Sequence, residues 1–252
     1  KRMQKCQCWL YMVCLLALSL TTKAQGTVTS PYQIKTGIEA PLLGAGVVGL
    51  GLGYFLHNAK PLLTEAEVNA LDVNDMWNFR LDRWPTQTWS TPSQHASDYL
   101  MYGANALPLL FLADPTIRKD YKAASFIVLE TYMINAALTT ITKELVQRKR
   151  PFVYNANAPM SLKMSADATS SFFSGHTSST AAACFVTAKM YTDYHPNSSY
   201  NYLVWGSAAL VPAVMGYLRM KGGKHYFTDV LVGYAVGALV GVVVPTLHKK
   251  LP

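Results

Sequence analysis

Histidines and basic residues at the ends of apolar stretches are the residues with which this chain could do chemistry. The clearest group is a polar stretch, 219–229, between two apolar runs. In it His225 and Asp229 are four residues apart, so they share a face if the chain is helical there. A neighbouring carboxylate fixes the tautomer of a histidine and raises its basicity, as a nucleophilic imidazole requires. Arg219 supplies a planar fork suited to phosphate or carboxylate, and the glycine pair behind it permits a turn back towards the histidine.

Two further polar stretches stand where apolar runs end or begin. Lys143 and Arg150 are seven residues apart, which is two helical turns, so both project from one helix face. Ser174, Gly175 and His176 open another apolar run, where a hydroxyl cap and free backbone N–H groups favour an anion. Each stretch alone also fits an ordinary helix end, with cations near a C-terminus or a capped N-terminus.

Together the three stretches predict phosphoryl transfer. Of two histidines, one can attack phosphorus while the other protonates the leaving oxygen. Two arginines and a lysine would neutralise the charge on the phosphoryl oxygens. No second carboxylate or histidine is spaced as a metal ligand, so the sequence predicts chemistry without a metal or other cofactor.

The order Lys-x6-Arg-Pro, Ser-Gly-His, Arg-x5-His-x3-Asp resembles the type 2 phosphatidic acid phosphatase (PAP2) superfamily over roughly residues 99–247. That superfamily includes lipid phosphatases, bacterial acid phosphatases and vanadium haloperoxidases. The resemblance implies that His225 is the nucleophile and forms a phosphohistidine, Asp229 orients it, and His176 is the general acid. It implies that the phosphate is held by Lys143, Arg150, Ser174, Gly175 and Arg219.

Two residues depart from the family pattern. Phe173 stands where a proline usually precedes Ser-Gly-His, and Leu218 stands where a serine usually precedes the arginine. Neither change removes a charged or proton-transferring group, so activity is expected to survive. The two departures are expected to change phosphate affinity or the geometry of the loop.

Composition favours a helical membrane protein with sizeable polar loops or a very apolar soluble helical domain. Half of the 252 residues are hydrophobic and only 14% are charged, against roughly 25% in soluble domains. Apolar runs of about 15 to 20 residues, at the short end of what spans a bilayer, recur along the chain. No alternating strand pattern or internal repeat competes with them, so the predicted fold is all-α, a membrane-embedded bundle of about five to six helices. The runs are 37–56, 99–113, 123–142, 177–191, 203–218 and 230–247.

Three segments are predicted along the chain. Residues 1–24 are basic, then apolar, and end in small residues, which is typical of a cleaved signal peptide; an uncleaved anchor is the alternative. Residues 25–96 contain a glycine-rich apolar helix and an amphipathic or interfacial segment, and 97–252 form the catalytic helical domain. Cys184 is the one cysteine after the leader and is predicted to be a buried small hydrophobe. The net charge of +8 comes without an RNA-binding signature, so nucleic acid is not an expected partner.

Several single residues and residue pairs carry predictions of their own, some of them with an alternative. Gly49 and Gly53 suit close packing of membrane helices. Glu130, inside an apolar run, is either a functional group or a hydrogen-bonded structural one. Thr64 and Glu67 predict a capping box. The tryptophans Trp77, Trp84 and Trp89 suit a membrane interface or a core, and the remaining histidines, His57, His95, His195 and His248, are predicted at the surface or interface.

The predicted protein is a metal-independent phosphatase of bacterial inner-membrane lipids, with its site facing the periplasm. Candidate substrates are phosphatidic acid, a polyprenyl pyrophosphate and a lipid A phosphate; the oligomeric state stays open. The alternatives are a soluble periplasmic acid phosphatase, a vanadate-dependent haloperoxidase and a non-catalytic lipid-binding protein. If the leader is cleaved after export, an outward site needs an even number of crossings before Arg150, so the run 37–56 is expected to lie in the interface, to re-enter or to pack on the bundle without crossing.

Overall fold

The computed structural model describes residues 30–75 and 80–250, and within them the chain is helical. No strand occurs in these ranges, and a single isolated bridge joins Tyr32 to Lys249. The predicted all-α class is confirmed. The α-helices are α1 (Thr36–Ala59), α2 (Glu65–Asn69), α3 (Arg80–Arg83), α4 (Thr91–Ala106), α5 (Pro115–Arg118), α6 (Tyr121–Val146), α7 (Met160–Lys163), α8 (Gly175–Tyr194), α9 (Asn201–Lys221) and α10 (Phe227–Leu247), and short 3-10 turns are Val73–Asp75, Trp84–Gln87, Leu107–Leu112, Pro151–Tyr154 and Ala166–Thr169.

The helix ends differ from the predicted apolar runs where polar residues cap or extend a helix. The run predicted at 99–113 begins earlier, because Ser90 caps α4 and accepts a hydrogen bond from the Ser93 N–H, with a proline in the first turn. It then tightens into the 3-10 turn Leu107–Leu112. The predicted boundary between residues 96 and 97 therefore falls inside α4. The leader at 1–24 and Trp77 lie outside the described residues.

Helix α8 lies at the centre of the bundle and contacts α4, α6, α9 and α10. Its middle is rich in alanine, and Cys184, a free and buried thiol there, is the small hydrophobe that was predicted. Glycines on α10 bring that helix against the backbone of α8. A Cβ on Gly233 would lie 2.6 Å from the Ser174 carbonyl oxygen, so a larger residue would push the start of α8 away from α10. This close approach sets the position of the two helix starts that carry the histidine motifs.

Helix α1 packs along α6, with glycines at the contact. A Cβ on Gly49 would lie 2.9 Å from the Ala137 Cβ, and one on Gly53 would lie 2.6 Å from the Thr140 Cγ2. Gly51, on the other side of α1, has nothing within 4 Å. The predicted role of Gly49 and Gly53 in close helix packing is thus confirmed.

Within the described residues, four helical segments are long and apolar enough to cross a membrane: Glu39–Ala59, Tyr121–Tyr154, Asn201–Lys221 and Phe227–Leu247. Many large apolar side chains on the outside of the bundle are exposed, among them Phe55, Leu110 and Leu239. A soluble protein would not expose such a surface, whereas lipid covers it. The predicted membrane-embedded bundle is confirmed.

The helices α1 and α6 run in the same direction. At one end Lys60, just after α1, forms an ion pair of 2.7 Å with Glu144 near the end of α6. At the other end Glu39, in the first turn of α1, lies beside Glu130 of α6. Contrary to the expectation for the run 37–56, α1 accompanies α6 across the bundle. We call the end at Glu144 the site end and the end at Glu39 the far end.

The prediction that His248 lies at the surface or interface is wrong. His248 follows α10 and is 1% exposed, because it turns inward between α1 and α6, where Glu39 and Glu130 lie. No local pattern indicates this burial, since both acids come from distant segments. The other three histidines, His57, His95 and His195, are partly or fully exposed.

The smaller local predictions are resolved as follows. Thr64 and Glu67 form the predicted capping box at the start of α2. Trp84 is partly exposed and stacks on Tyr217, whereas Trp89 packs edge-on against the buried Phe152. The two tryptophans thus divide between the two predicted environments.

We expect Gly53→Leu to lower the melting temperature in detergent, because the new side chain would meet Thr140 and overpack the α1–α6 contact at a cost of roughly 1–3 kcal/mol. The matched control is Gly51→Leu, which makes the same change in helix propensity on the open side of α1. Equal melting temperatures for the two variants, measured by thermal unfolding, would contradict this packing.

Candidate active site

The three polar stretches converge at the site end of the bundle. The Arg150 Nη1 lies 3.2 Å from the His225 Nε2, and also donates to the Lys224 carbonyl over 3.1 Å. Arg219, His176 and Lys143 are close enough that their charges act on His225. The predicted grouping of these residues around one position is what the structure shows.

His225 is held by the backbone of the loop before α8. Its Nδ1 lies 2.9 Å from the Ser171 carbonyl oxygen, and because a carbonyl only accepts, Nδ1 carries the proton. The lone pair then resides on Nε2, the nitrogen facing Arg150. His225 is fully buried, so ring position and tautomer are both fixed.

Asp229, predicted to orient His225 directly, acts mainly through Ser171. Its Oδ2 is 3.6 Å from the His225 Nδ1, longer than a hydrogen bond, but accepts from the Ser171 Oγ over 2.5 Å. It also accepts from the Tyr226 N–H over 3.0 Å, as the capping residue of α10. The carboxylate therefore holds the residue whose carbonyl holds the histidine.

Arg148 completes this arrangement. Its Nη1 donates to the Asp229 Oδ1 over 2.6 Å, and its Nη2 to the Asp82 Oδ2 over 2.8 Å. Its guanidinium carbon lies 4.0 Å from the centre of the Tyr226 ring. The arginine is thus committed to two buried carboxylates and is not available to a ligand.

His176 faces a carboxylate that the sequence analysis did not identify. Its Nε2 lies 3.0 Å from the Asp98 Oδ1 of α4. The Arg219 Nη1 approaches the same oxygen at 3.5 Å and donates to the Ser97 Oγ over 3.1 Å. The Arg219 Nε is buried and has no hydrogen-bond partner among the described residues, which leaves a donor for an anion.

The start of α8 supplies backbone groups more than side chains. The Ser174 Oγ accepts from the Thr177 N–H and so caps the helix, and the Ser174 N–H donates to the Asp229 carbonyl over 3.0 Å. Both groups are therefore engaged. Gly175 is the first helical residue, and a Cβ there would lie 3.7 Å from the Lys143 Nζ, which places the lysine ammonium beside this helix start. The Lys143 ammonium makes no hydrogen bond or ion pair within residues 30–75 and 80–250.

A carboxylate of the chain, Asp167, binds to Arg150. The Arg150 Nη2 donates to the Asp167 Oδ1 over 2.6 Å, and its Nε donates to the Asp167 carbonyl over 2.9 Å. The Asp167 side chain is half exposed, so it can leave. Lys224 stands close by, 4.9 Å from the centre of the Phe152 ring. Arg150 thus already binds an anionic oxygen that belongs to the chain itself.

The site holds its histidines neutral. Burial, and then the charges of Arg150 and Arg219, place the pKa of His225 well below 6.5. Partial burial and Arg219 lower the pKa of His176 to about 4, against Asp98, which raises it. Protonation therefore removes the His225 lone pair only in acid, and a neutral nucleophile is present at pH 7.

A cavity of about 230 Å³ opens beside the helix start, between α4, α6 and α8. Its wall includes Asn105, Tyr132, Thr139 and Gly175. Gly175 therefore borders the cavity and also lies beside the Lys143 ammonium.

These helices and this cluster define a helical membrane protein with a buried, cationic, histidine-containing anion site. The family model of the PAP2 superfamily matches residues 124–252, and the chain belongs to that superfamily. No curated protein matches the chain.

Among solved structures, the fold is similar to the crystal structure of the first transmembrane PAP2 type phosphatidylglycerolphosphate phosphatase from Bacillus subtilis. The TM-score is 0.52 at 20% identity, over 81% of this chain and 95% of that one. At this identity the likeness concerns the fold, and it agrees with the membrane bundle described above.

We expect Arg219→Ala to weaken binding of inorganic phosphate by about tenfold or more, because it removes the unpartnered buried donor and one cationic charge. Titration calorimetry in detergent measures this without turnover. Arg80→Ala, which changes an exposed arginine of α3, is the control and should bind as the wild type does. Equal affinity of all three proteins would mean that the anion site lies elsewhere.

Proposed function

We propose that the protein is a lipid phosphatase that acts through a phosphohistidine at His225. The observation that supports this best is the position of the His225 Nε2, 3.2 Å from the Arg150 guanidinium with its lone pair directed there. A nucleophile and a phosphate-binding group that share one position are what phosphoryl transfer requires.

In the proposed first step the substrate phosphate displaces the Asp167 carboxylate from Arg150. Arg150, Arg219 and Lys143 neutralise the charge on its oxygens, which also accept hydrogen bonds from backbone N–H groups at the start of α8. The His225 Nε2 attacks phosphorus while Nδ1–H remains bonded to the Ser171 carbonyl, which stabilises the positive charge that develops on the ring.

His176 is proposed as the general acid. Asp98 holds its Nε2, which leaves Nδ1 for the leaving oxygen. Its low pKa in the free enzyme means that the proton arrives with the substrate, since a bound phosphate anion raises the proton affinity of a neighbouring imidazole. In the second step the same imidazole takes a proton from water, which attacks phosphorus and releases His225 and phosphate.

A lipid substrate fits the position of the site. The catalytic residues lie at the end of a bundle whose flanks are apolar and exposed, so a substrate dissolved in the bilayer arrives beside them. The cavity between α4, α6 and α8 reaches Gly175 from that flank. The candidate headgroups are phosphatidic acid, a polyprenyl pyrophosphate and a lipid A phosphate.

We expect the wild type to release phosphate from at least one of these lipids, and His225→Ala to lose activity by at least about 1,000-fold, because no other imidazole is aligned. His195→Ala changes a partly exposed histidine paired with Asp114 near the end of α8, and should keep full activity. Phosphate release over the three lipids and p-nitrophenyl phosphate is the measurement.

The same panel separates the alternatives. Activity on p-nitrophenyl phosphate alone would favour a non-specific acid phosphatase. Bromide oxidation with added vanadate but no phosphate release would favour a haloperoxidase, and no activity in any assay would favour a non-catalytic lipid-binding protein.

We propose further that the site faces the periplasm from the bacterial inner membrane. Three passes precede Arg150: α1 towards the site end, α4 with its 3-10 extension away from it, and α6 back. Ser97, early in α4, bonds Arg219 at the site end, and Asp114, after the extension, meets His195 at the far end. Residue 30 then lies on the cytoplasmic side. A leader that is cleaved after export would place it outside, so that leader and an outward site are mutually exclusive.

Labelling of single added cysteines in intact cells decides the orientation. We expect Asn157→Cys, exposed at the site end, to react with a membrane-impermeant maleimide, and Asn197→Cys, exposed at the far end, to react only after lysis. The background is the chain with Cys6, Cys8 and Cys14 replaced by serine, in which the remaining Cys184 is buried, and the two cysteines are added to that chain. The reverse pattern would place the site in the cytoplasm.

A further inference from the structure

A second cluster of buried ionisable groups lies at the far end of the bundle. Glu39 of α1, Glu130 of α6 and His248 after α10 each offer a ligand atom, and these atoms lie within 4.8 Å of one another. Helix α10 separates the cluster from the catalytic histidines by its whole length, about 30 Å. The proposed phosphatase chemistry uses none of the three.

The cluster is closed to solvent and contains two acidic groups for one basic group. Glu39 is 5% exposed, and Glu130 and His248 are 1% exposed. The Glu130 Oε1 and Oε2 accept no hydrogen bond within the described residues. Two carboxylates therefore share one imidazole, and burial of such an excess of negative charge is costly.

The tautomer of His248 turns its lone pair towards both acids. Its Nδ1 lies 2.8 Å from the Val244 carbonyl oxygen, so Nδ1 carries the proton. In the neutral ring the Nε2 lone pair then faces Glu39 at 3.0 Å and the Glu130 Oε2 at 3.1 Å. Acceptors at these distances repel one another unless a cation lies between them. A backbone carbonyl bonded to the second ring nitrogen is also the usual support of a metal-binding histidine.

We propose that Glu39, Glu130 and His248 bind a divalent transition-metal ion. Its charge balances the two carboxylates, which a single proton on His248 does not. Ligands about 2.0–2.1 Å from a tetrahedral zinc ion are ~3.3 Å apart, a few tenths of an ångström more than the separations here, so a small rotation of the side chains admits the ion. Imidazole with carboxylates suits Zn²⁺, Mn²⁺ or Fe²⁺ better than Mg²⁺ or Ca²⁺, which prefer oxygen ligands alone.

The ion in this site has a structural role, because it links three segments of the chain. Its ligands come from the start of α1, the first half of α6 and the end of α10, which are far apart in the sequence. The same region joins the chain ends, because the Gln33 N–H donates to the His248 carbonyl over 2.8 Å. An ion here ties α1, which packs mainly on α6, to the helices that carry the catalytic motifs.

The test compares zinc content and thermal stability of detergent-purified protein after chelation and Zn²⁺ addition. We expect the wild type to bind about one equivalent more than Glu130→Gln, which keeps the side-chain shape and removes the charge. Zn²⁺ should raise the melting temperature of the wild type by about 3 °C or more and leave that of Glu130→Gln unchanged.

The matched control is His195→Gln, which removes a partly exposed histidine–carboxylate pair near the same end and should behave as the wild type. Zinc held by the catalytic histidines is common to all three proteins and cancels in the comparison. If Glu130→Gln does not fold, His248→Gln replaces it, and a visible Co²⁺ spectrum of the wild type reports an imidazole-containing site directly. Equal zinc content in wild type and variant, or no change in melting temperature, would overturn the proposal in favour of a proton held on His248.

Discussion

The site end of the bundle depends on the hydrogen bonds that satisfy the buried carboxylate of Asp229. It accepts hydrogen bonds from Arg148, from Ser171 and from the backbone of Tyr226, which belong to three separate segments. Its own backbone carbonyl accepts from Ser174 at the start of α8. A fully buried carboxylate must be satisfied in this way, because an unpaired one would cost several kcal/mol. The requirement to satisfy one charge therefore brings the end of α6, the loop before α8 and the start of α10 together, and His225 is positioned as a consequence.

The geometry also explains why the residues around His225 are so polar in so apolar a chain. Ser171 contacts the histidine with its carbonyl and Asp229 with its hydroxyl, so one residue transmits the orientation from carboxylate to imidazole. Arg148 neutralises Asp229, whereas Arg150 lies beside the His225 Nε2. Two arginines of one short stretch thus differ: Arg148 holds the scaffold, and Arg150 is the one proposed to bind substrate.

The sequence predicted the residues that stand in short motifs and missed those that reach the site from elsewhere. His176, His225 and Arg219 were found because spacing within a helix end already places such side chains together. Asp98 was missed because it lies in an ordinary polar turn of α4, and nothing local shows that α4 passes in front of His176. The start of α4 was predicted too late for a different reason: the cap at Ser90 precedes the apolar run, and hydropathy marks the run alone.

Ser174 shows the limit of a motif more sharply. The family resemblance implied that Ser174 binds phosphate, but its hydroxyl caps α8 and its N–H donates to the Asp229 carbonyl. Ser174 therefore fixes the position of the helix start, as its residue type predicted.

Each end of the bundle contains an excess of one kind of ionisable group, basic at the site end and acidic at the far end. At the site end, Lys143, Arg150 and Arg219 exceed the nearby acids, and Asp167 is drawn onto Arg150 as a replaceable anion. At the far end, Glu39 and Glu130 exceed the single His248. In water such imbalances would be screened, but within a helical bundle in lipid each must be met by a ligand, a proton or a displaced side chain. A flexible side chain can meet the imbalance only where solvent lets it move, as the half-exposed Asp167 does. The far-end groups are buried, so there a bound cation or a proton supplies the balancing charge.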